Sequence, residues 1–248
     1  MKYLYLLLVL LSPVAASCEK TLRVGVVLPW PPFVFDGDQA LTGIDIDISR
    51  LVLTEAGFCS YFVRFPTSKR GLVELEKGRV DVLSAASFTQ QRAQYSHFST
   101  PYRRERMRLF WYEDPRYLTH SLAELLAKDK TIAVNNGGYY GKEFEQLSQT
   151  SDNKESIVRV PLLSHRLHML KAKRVDFMID DEISGQYLIR QEEITGITLH
   201  PYVIHDNPIH FMLSKKTVTI ENMHAINSAI INVQAEIEKI IASYTLKL

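Results

Sequence analysis

A near-repeat constrains this chain more than any other feature. Leu72-Val-Glu-Leu75-Glu-Lys-Gly-Arg79-Val80-Asp81-Val-Leu returns as Leu167-His-Met-Leu170-Lys-Ala-Lys-Arg174-Val175-Asp176-Phe-Met. Each copy reads as the end of a helix with two core leucines, an Arg-Val-Asp turn and an apolar strand. Two unrelated helix-to-strand joints that happen to look alike are the plain alternative to two lobes built on one plan. Before the first copy and through it, strands are predicted at Leu22–Leu28, Tyr61–Phe65 and Val80–Ser84, with helices at Ile44–Ala56 and Gly71–Lys77. Around the second, strands fall at Thr131–Val134, Ile157–Val160 and Val175–Ile179, with helices at Gly141–Gln149, Leu163–Lys173 and Glu182–Arg190. A short strand at His210–Leu213 and one long amphipathic helix over Ile220–Tyr244 close the chain. Such alternation predicts an α/β fold of mainly parallel sheets with flanking helices and right-handed crossovers.

The 248 residues suit one large domain or two small ones. With 29 Lys+Arg against 28 Asp+Glu, the net charge of +1 offers no basic footprint for nucleic acid. A small molecule or another protein is the expected partner. Lys2, the apolar run Tyr3–Leu11 and the small residues Ala15, Ala16 and Ser17 read as a secretory signal over residues 1–17, too short to span a membrane. Export permits disulfides. Cys18 precedes one predicted strand and Cys59 opens another, so a Cys18–Cys59 bridge is expected if the strands are parallel neighbours. The competing reading makes Ala15-Ala16-Ser17-Cys18 a lipoprotein box with Cys18 lipidated, although Ala15 stands where such boxes usually carry Leu.

Ligands of open parallel sheets bind beyond the carboxyl ends of the strands, so the residues following each strand are the candidates. Trp30, in a proline-stiffened loop, is either a fixed apolar wall or ordinary loop packing. Ser87 and Arg92 could form a carboxylate site, since guanidinium offers two parallel donors, or Arg92 could be a surface cation. Asn135-Asn136-Gly137-Gly138-Tyr139-Tyr140 opens a helix, where free amides attract anions, or it is a plain turn. Asp180, Asp181 and Glu182 are a helix N-cap or a partner for an ammonium group. Ser68 and Arg70 follow the second strand. His165, His168, His200, His205 and His210 lack the partners of a metal set, and no P-loop, nucleophile elbow or dinucleotide fingerprint occurs. No metal, cofactor or catalytic role is expected.

In order along the chain stand Leu22-Arg-Val-Gly-Val, Pro31-Pro32-Phe33, Leu41-Thr-Gly43-Ile-Asp45-Ile-Asp47, Leu75-Glu-Lys-Gly78-Arg-Val-Asp81, Ser87-Phe-Thr89-Gln-Gln-Arg92 and Phe98-Ser99-Thr-Pro101-Tyr102. This succession resembles the family 3 bacterial extracellular solute-binding proteins, the polar amino-acid-binding group. The resemblance implies two α/β lobes around a cleft, joined by two crossing strands and closing by hinge motion. Lobe 1 would comprise 18–104 plus 207–248, and lobe 2 would comprise 105–206. It further implies that Arg92 grips a ligand α-carboxylate, with Ser87 and the backbone near Gly138 and Tyr139 completing the pocket. Asp181 would meet the α-ammonium, Trp30 would pack on the ligand, and Ser68 would line the side-chain pocket. Tyr139 and Tyr140 depart from the Thr or Ser and polar residue common there, and Arg70 adds a cation near the cleft mouth. The implied function is periplasmic capture of an amino acid or similar zwitterion by a monomer serving an ABC-type permease or a membrane receptor. Alternatives are a dehydratase on the same fold, resembling cyclohexadienyl dehydratase, and an extracytoplasmic sensor module with a separate membrane partner.

Overall fold

The computed structural model describes residues 18–37, 40–150 and 153–245, so the expected signal over residues 1–17 lies outside it. In chain order the elements are β1 (Lys20–Val27), β2 (Phe35–Asp36), β3 (Leu41–Thr42), α1 (Ile44–Glu55), β4 (Phe58–Phe65), α2 (Ser68–Glu76), β5 (Val82–Ser87), α3 (Gln90–Ala93), β6 (Ser96–Phe98) and β7 (Arg103–Tyr112). They continue with α4 (Leu122–Leu126), β8 (Ile132–Val134), α5 (Gly141–Gln149), β9 (Ile157–Arg159), α6 (Leu163–Lys171), β10 (Phe177–Asp181), α7 (Glu182–Gln191), β11 (Ile197–Ser214), α8 (Ile220–Asn232) and α9 (Gln234–Thr245). Among the described residues no helix is long and apolar enough to cross a membrane.

The order β4-β1-β5-β11-β7-β10-β8-β9 runs through one mixed sheet, with β6 added against β11. The outer strands are parallel as expected: β1 with β4 and β5 in the first lobe, β8 with β9 and β10 in the second. The two central strands, β7 and β11, are antiparallel. One carries the chain across and the other carries it back, so they must run in opposite directions. The 18-residue β11 pairs with β7 from Ile197 to Ile209, then with β5 and β6, bending at register shifts on the way. Its last residues are the short strand expected at His210–Leu213. Strand β7 has no counterpart among the expected elements. Its inward-facing positions include Arg103 and Glu105, charges that hide the period-two pattern of a strand.

Alternation along the strands feeds separate cores. Leu109, Trp111, Phe177 and Ile179 pack with Leu125 and Ile132 on one face of the second lobe. Phe110 and Met178 turn the other way, onto Leu163, Leu167 and Ile194. In the first lobe, Leu22, Val24, Ile48, Val52 and Phe211 join Ile226, Ile230 and Ile237 of the closing helices. The single helix expected over Ile220–Tyr244 breaks at Val233 into α8 and α9. Asn232 there bonds Glu55 on α1 at 3.2 Å, and an Asn-Val pair has low helix propensity.

The near-repeat is structural. In each copy the residue after the helix takes a left-handed backbone, Gly78 at φ 75° and Lys173 at φ 54°. The Asp that follows then ties its strand to the neighbouring parallel strand. Asp81 accepts the Arg23 backbone amide at 2.7 Å and the Arg23 guanidinium at 2.8 and 3.0 Å. Asp176 accepts the Thr131 amide and hydroxyl at 2.9 Å and Lys130 at 3.0 Å.

Residue pairing between β1 and β4 sets Thr21 opposite Cys59. Cys18 lies just beyond that end of the pair, and the Cys18–Cys59 disulfide forms with Cα atoms 5.4 Å apart. Its sulfur is therefore not available for a lipid. Closing a loop of sequence separation 41 is worth about 4 kcal/mol in chain-entropy terms.

Candidate functional site

A cleft of roughly 1040 Å³, its open mouth included, lies between the lobes. Its walls are the carboxyl ends of β1, β5 and β10, the loop after β8, and the first turns of α2 and α6. Several contacts bridge it. Asn135 Nδ2 donates to Ser68 Oγ at 3.2 Å, Arg92 to the Gly137 carbonyl at 3.3 Å, and Trp30 Nε1 to Asp180 at 3.4 Å. Outside the cleft, Ser184 Oγ donates to the Pro31 carbonyl at 2.5 Å. At Gly137 (φ 96°) a Cβ would come within 2.8 Å of the Lys69 backbone nitrogen, so the lobes touch chain to chain there. The lobes are closed on one another.

Arg92 is placed by a capped turn: Thr89 Oγ1 accepts the Arg92 amide at 3.1 Å. Its guanidinium donates to the Ser87 carbonyl at 2.9 Å on one side and to Gly137 on the other. No carboxylate within 4 Å pairs with it among the described residues. Burial pulls its pKa below the usual guanidinium value, against the fields of Tyr95, Glu105, Glu145 and Tyr139; it stays charged at any ordinary pH. Beside it, Ala85 takes a left-handed backbone (φ 56°), and its amide donates to Tyr102 Oη at 2.9 Å. Strain at such a position is held only by its surroundings.

Four buried acids lie at or beneath the cleft floor, and Asp45, Glu105 and Asp180 line it. Asp45 accepts Nε and one terminal nitrogen of Arg103, both at 2.9 Å, and Tyr102 Oη at 2.7 Å. Asp180 pairs with Arg166, whose guanidinium also donates to the Val160 and Pro161 carbonyls. Asp181 caps α7, accepting the Ile183 and Ser184 amides at 2.8 and 3.2 Å. Glu105, only 4% exposed, meets Ser87 Oγ at 3.5 Å. Burial pushes the Glu105 carboxyl up to about 8, opposed by Arg103 and reinforced by Asp181, Asp180 and Asp45. Burial likewise raises Asp181, to about 7, opposed by Arg103 and the helix amides and reinforced by Asp180.

Trp30, Ser68, Ser87, Arg92, Gly138 and Tyr139 all line the cleft. Two expected residues do not. Asp181 is spent on the helix cap, the plainer of its two sequence readings, and Asp180 takes the place on the wall. Arg70 points away and pairs with Glu74 at 2.9 Å, its side chain 59% exposed. The sequence reading passed over Glu105 and Arg166, and named Asn135 only as part of the loop that opens α5. The alternation of Arg103, Glu105 and Met107 on one face of β7 was the signal that could have found the first of them.

A model of the family described as bacterial extracellular solute-binding proteins, family 3, matches residues 22–246. A probable histidine-binding protein of Campylobacter jejuni is 35% identical over 89 residues, which are 35% of this chain and 34% of the relative. The chain thus aligns with about a third of that relative's length. A histidine kinase sensor domain with similarity to periplasmic binding proteins superimposes with a TM-score of 0.78 at 20% identity, covering 92% of this chain and 96% of the other. A mutant of the arginine-binding protein ArgBP from T. maritima gives a TM-score of 0.75 at 19% identity, covering 90% and 94%. At these identities the two structures establish the fold. With the family model spanning nearly every described residue, the chain belongs to the bacterial extracellular solute-binding proteins, family 3.

Proposed function

We propose that this protein captures an amino acid or similar small zwitterion between its lobes in the periplasm and presents it to a membrane transporter. One observation carries the reading. Arg92 puts a guanidinium with no carboxylate partner among the described residues into the cleft wall, where it touches both lobes. A ligand carboxylate would supply the missing charge with the bidentate geometry that guanidinium favours. The first lobe (18–104 plus 207–248) and the second (105–206) would close around it by bending at β7 and β11. Trp30 would pack on the ligand, while Ser68, Ser87, Gly138 and Tyr139 would surround it. The similarity to proteins named for histidine and arginine binding supports a polar amino acid.

A second reading has its own support. The similarity to a histidine kinase sensor domain fits a protein whose closed state is read by a signalling receptor. Both readings need the same binding event. Thermal unfolding of the mature protein with each common amino acid tests it. Ligand at about 100 times its dissociation constant adds about 2.7 kcal/mol, a rise of roughly 5–11 °C for a chain of this size. The rise should vanish in Arg92→Ala. If no amino acid raises the midpoint, the proposal fails. Product formation from a carboxylated ring substrate would move the reading to the dehydratase class.

A further inference from the structure

The buried acids at and beneath the cleft floor are not equivalent. Asp45 is neutralised by Arg103, Asp180 by Arg166, and Asp181 is held by two helix amides. Glu105 lines the cleft and has none of these. Among the described residues it forms no ion pair, and its one hydrogen bond is the long contact with Ser87 Oγ. Ser87 also fixes its position relative to Arg92, because its carbonyl takes the Arg92 guanidinium at 2.9 Å while its hydroxyl faces Glu105. Among the described residues a cation and an acid, each without an ion-pair partner, therefore meet at a single residue, the one able to answer the carboxylate and the other the ammonium of an α-amino acid.

We infer that Glu105, in place of Asp181, receives the cationic nitrogen of the ligand, and that binding there expels a proton from the protein. The inference rests on the function proposed above. The ligand ammonium keeps its own proton, and the one leaving the Glu105 carboxyl goes to solvent. The groups around Glu105 explain why it holds that proton before a ligand binds. Asp45 on α1 and Asp180 and Asp181 on β10 raise its pKa, while Arg103 on its own strand lowers it. Arg92 on α3 feels its field, as does Tyr140 before α5, which also faces Arg166 on α6. Asn207 on β11 stands opposite it in the ladder with a buried Oδ1 that finds no donor. Burial dominates, so the free acid is mostly protonated near neutrality.

Calorimetric titration tests this with L-arginine, L-glutamine, L-glutamate and L-histidine. Runs at about pH 6.5 in two buffers of different ionisation heat count the protons released, with the imidazole's own proton taken from a reference titration. The expected result is close to one proton released, with affinity rising by about tenfold per pH unit until about pH 8. Glu105→Gln should bind at least about tenfold more weakly at that pH and release no proton. It should also lose its preference for the amino acid over the same acid lacking the amino group. Binding that needs Arg92 but releases no proton and is unchanged in Glu105→Gln overturns the inference and leaves the proposed function standing. Proton release that persists in Glu105→Gln points to Asp181 and also overturns it. No binding of any amino acid overturns both. If Glu105→Gln does not fold, the proton count and the preference for the amino group in the unaltered protein decide.

Discussion

Beneath the cleft floor, Arg103 forms a closed pair; in the cleft wall, Arg92 does not. Arg103 lays both arms of its fork on Asp45, lies over the Phe33 ring with its central carbon 4.3 Å from the centroid, and leaves the carboxylate bonded by Tyr102 as well. Its charge is answered within the protein, so it offers nothing to a ligand and serves to lock α1 to β7. Arg92 spends its donors on two carbonyls, which orient it without cancelling its charge. Burial alone does not separate a structural arginine from a candidate binding one. The presence or absence of a carboxylate within reach does.

That contrast yields its largest effect when each cation is removed. Arg103→Met strands Asp45 in the interior without its partner, a loss of about 3–5 kcal/mol of stability. Arg92→Met strands no acid and should cost less than about 1 kcal/mol, because the two carbonyls it leaves can be met by water entering through the cleft's mouth. Urea denaturation of both variants measures the difference. Equal losses would mean that Arg92 is a structural residue like Arg103, and the cleft would lose its candidate anion site.

The two Arg-Val-Asp joints permit a finer comparison, since they share a sequence and differ in solvent. Asp81 has a side chain 4% exposed and takes two nitrogens of Arg23, whereas Asp176 is 37% exposed and pairs with a lysine. Asp81→Asn should therefore cost about 1–2 kcal/mol, with Arg23's own exposure trimming the upper end, and Asp176→Asn less. Burial raises each pKa, but the bonds from Arg23 to Asp81, and from Thr131 and Lys130 to Asp176, outweigh it and hold both carboxyls below their usual range. A depressed carboxyl stabilises the fold above its unfolded pKa and stops doing so as pH falls through the folded value. Both deficits should therefore be full at pH 6 and shrink below about pH 4. A deficit in Asp81→Asn that persisted unchanged into acid would show that the amide bonds, not the charge, hold the joint.

These joints were legible because their chemistry is local: a turn, a left-handed residue and an Asp one position ahead of a strand recur together in sequence. Helices with regular apolar spacing, such as α1 and α5, were legible for the same reason. The cleft floor was not. Asp45, Glu105, Arg166 and Asp180 come from α1, β7, α6 and the end of β10, and only the crossing of β7 and β11 brings them together. The buried charges on β7 also erased the pattern that would have marked it as a strand. Asp181 was assigned a ligand by resemblance. Its alternative as a helix cap depended on where α7 begins, and one residue decides which of two adjacent acids faces the cleft.

The smallest expected effect comes from Arg70, the cation placed by sequence near the cleft mouth. It lies in the first turn of α2, where a helix favours negative rather than positive charge, so its own location contributes nothing favourable. Its partner Glu74 does not depend on it, because Arg79 holds both oxygens of the same carboxylate. Removing Arg70 thus leaves no buried acid unpaired, in contrast to Arg103. It also removes no charge from the cleft wall, in contrast to Arg92. Arg70→Ala should move the midpoint of thermal unfolding by about 1–2 °C at most and leave the shift caused by any bound amino acid intact. A reduced shift with an acidic ligand such as L-glutamate, at low salt only, would show that Arg70 acts at a distance by steering anions to the cleft. A reduced shift that survived salt would mean that the side chain swings into the cleft when ligand is present.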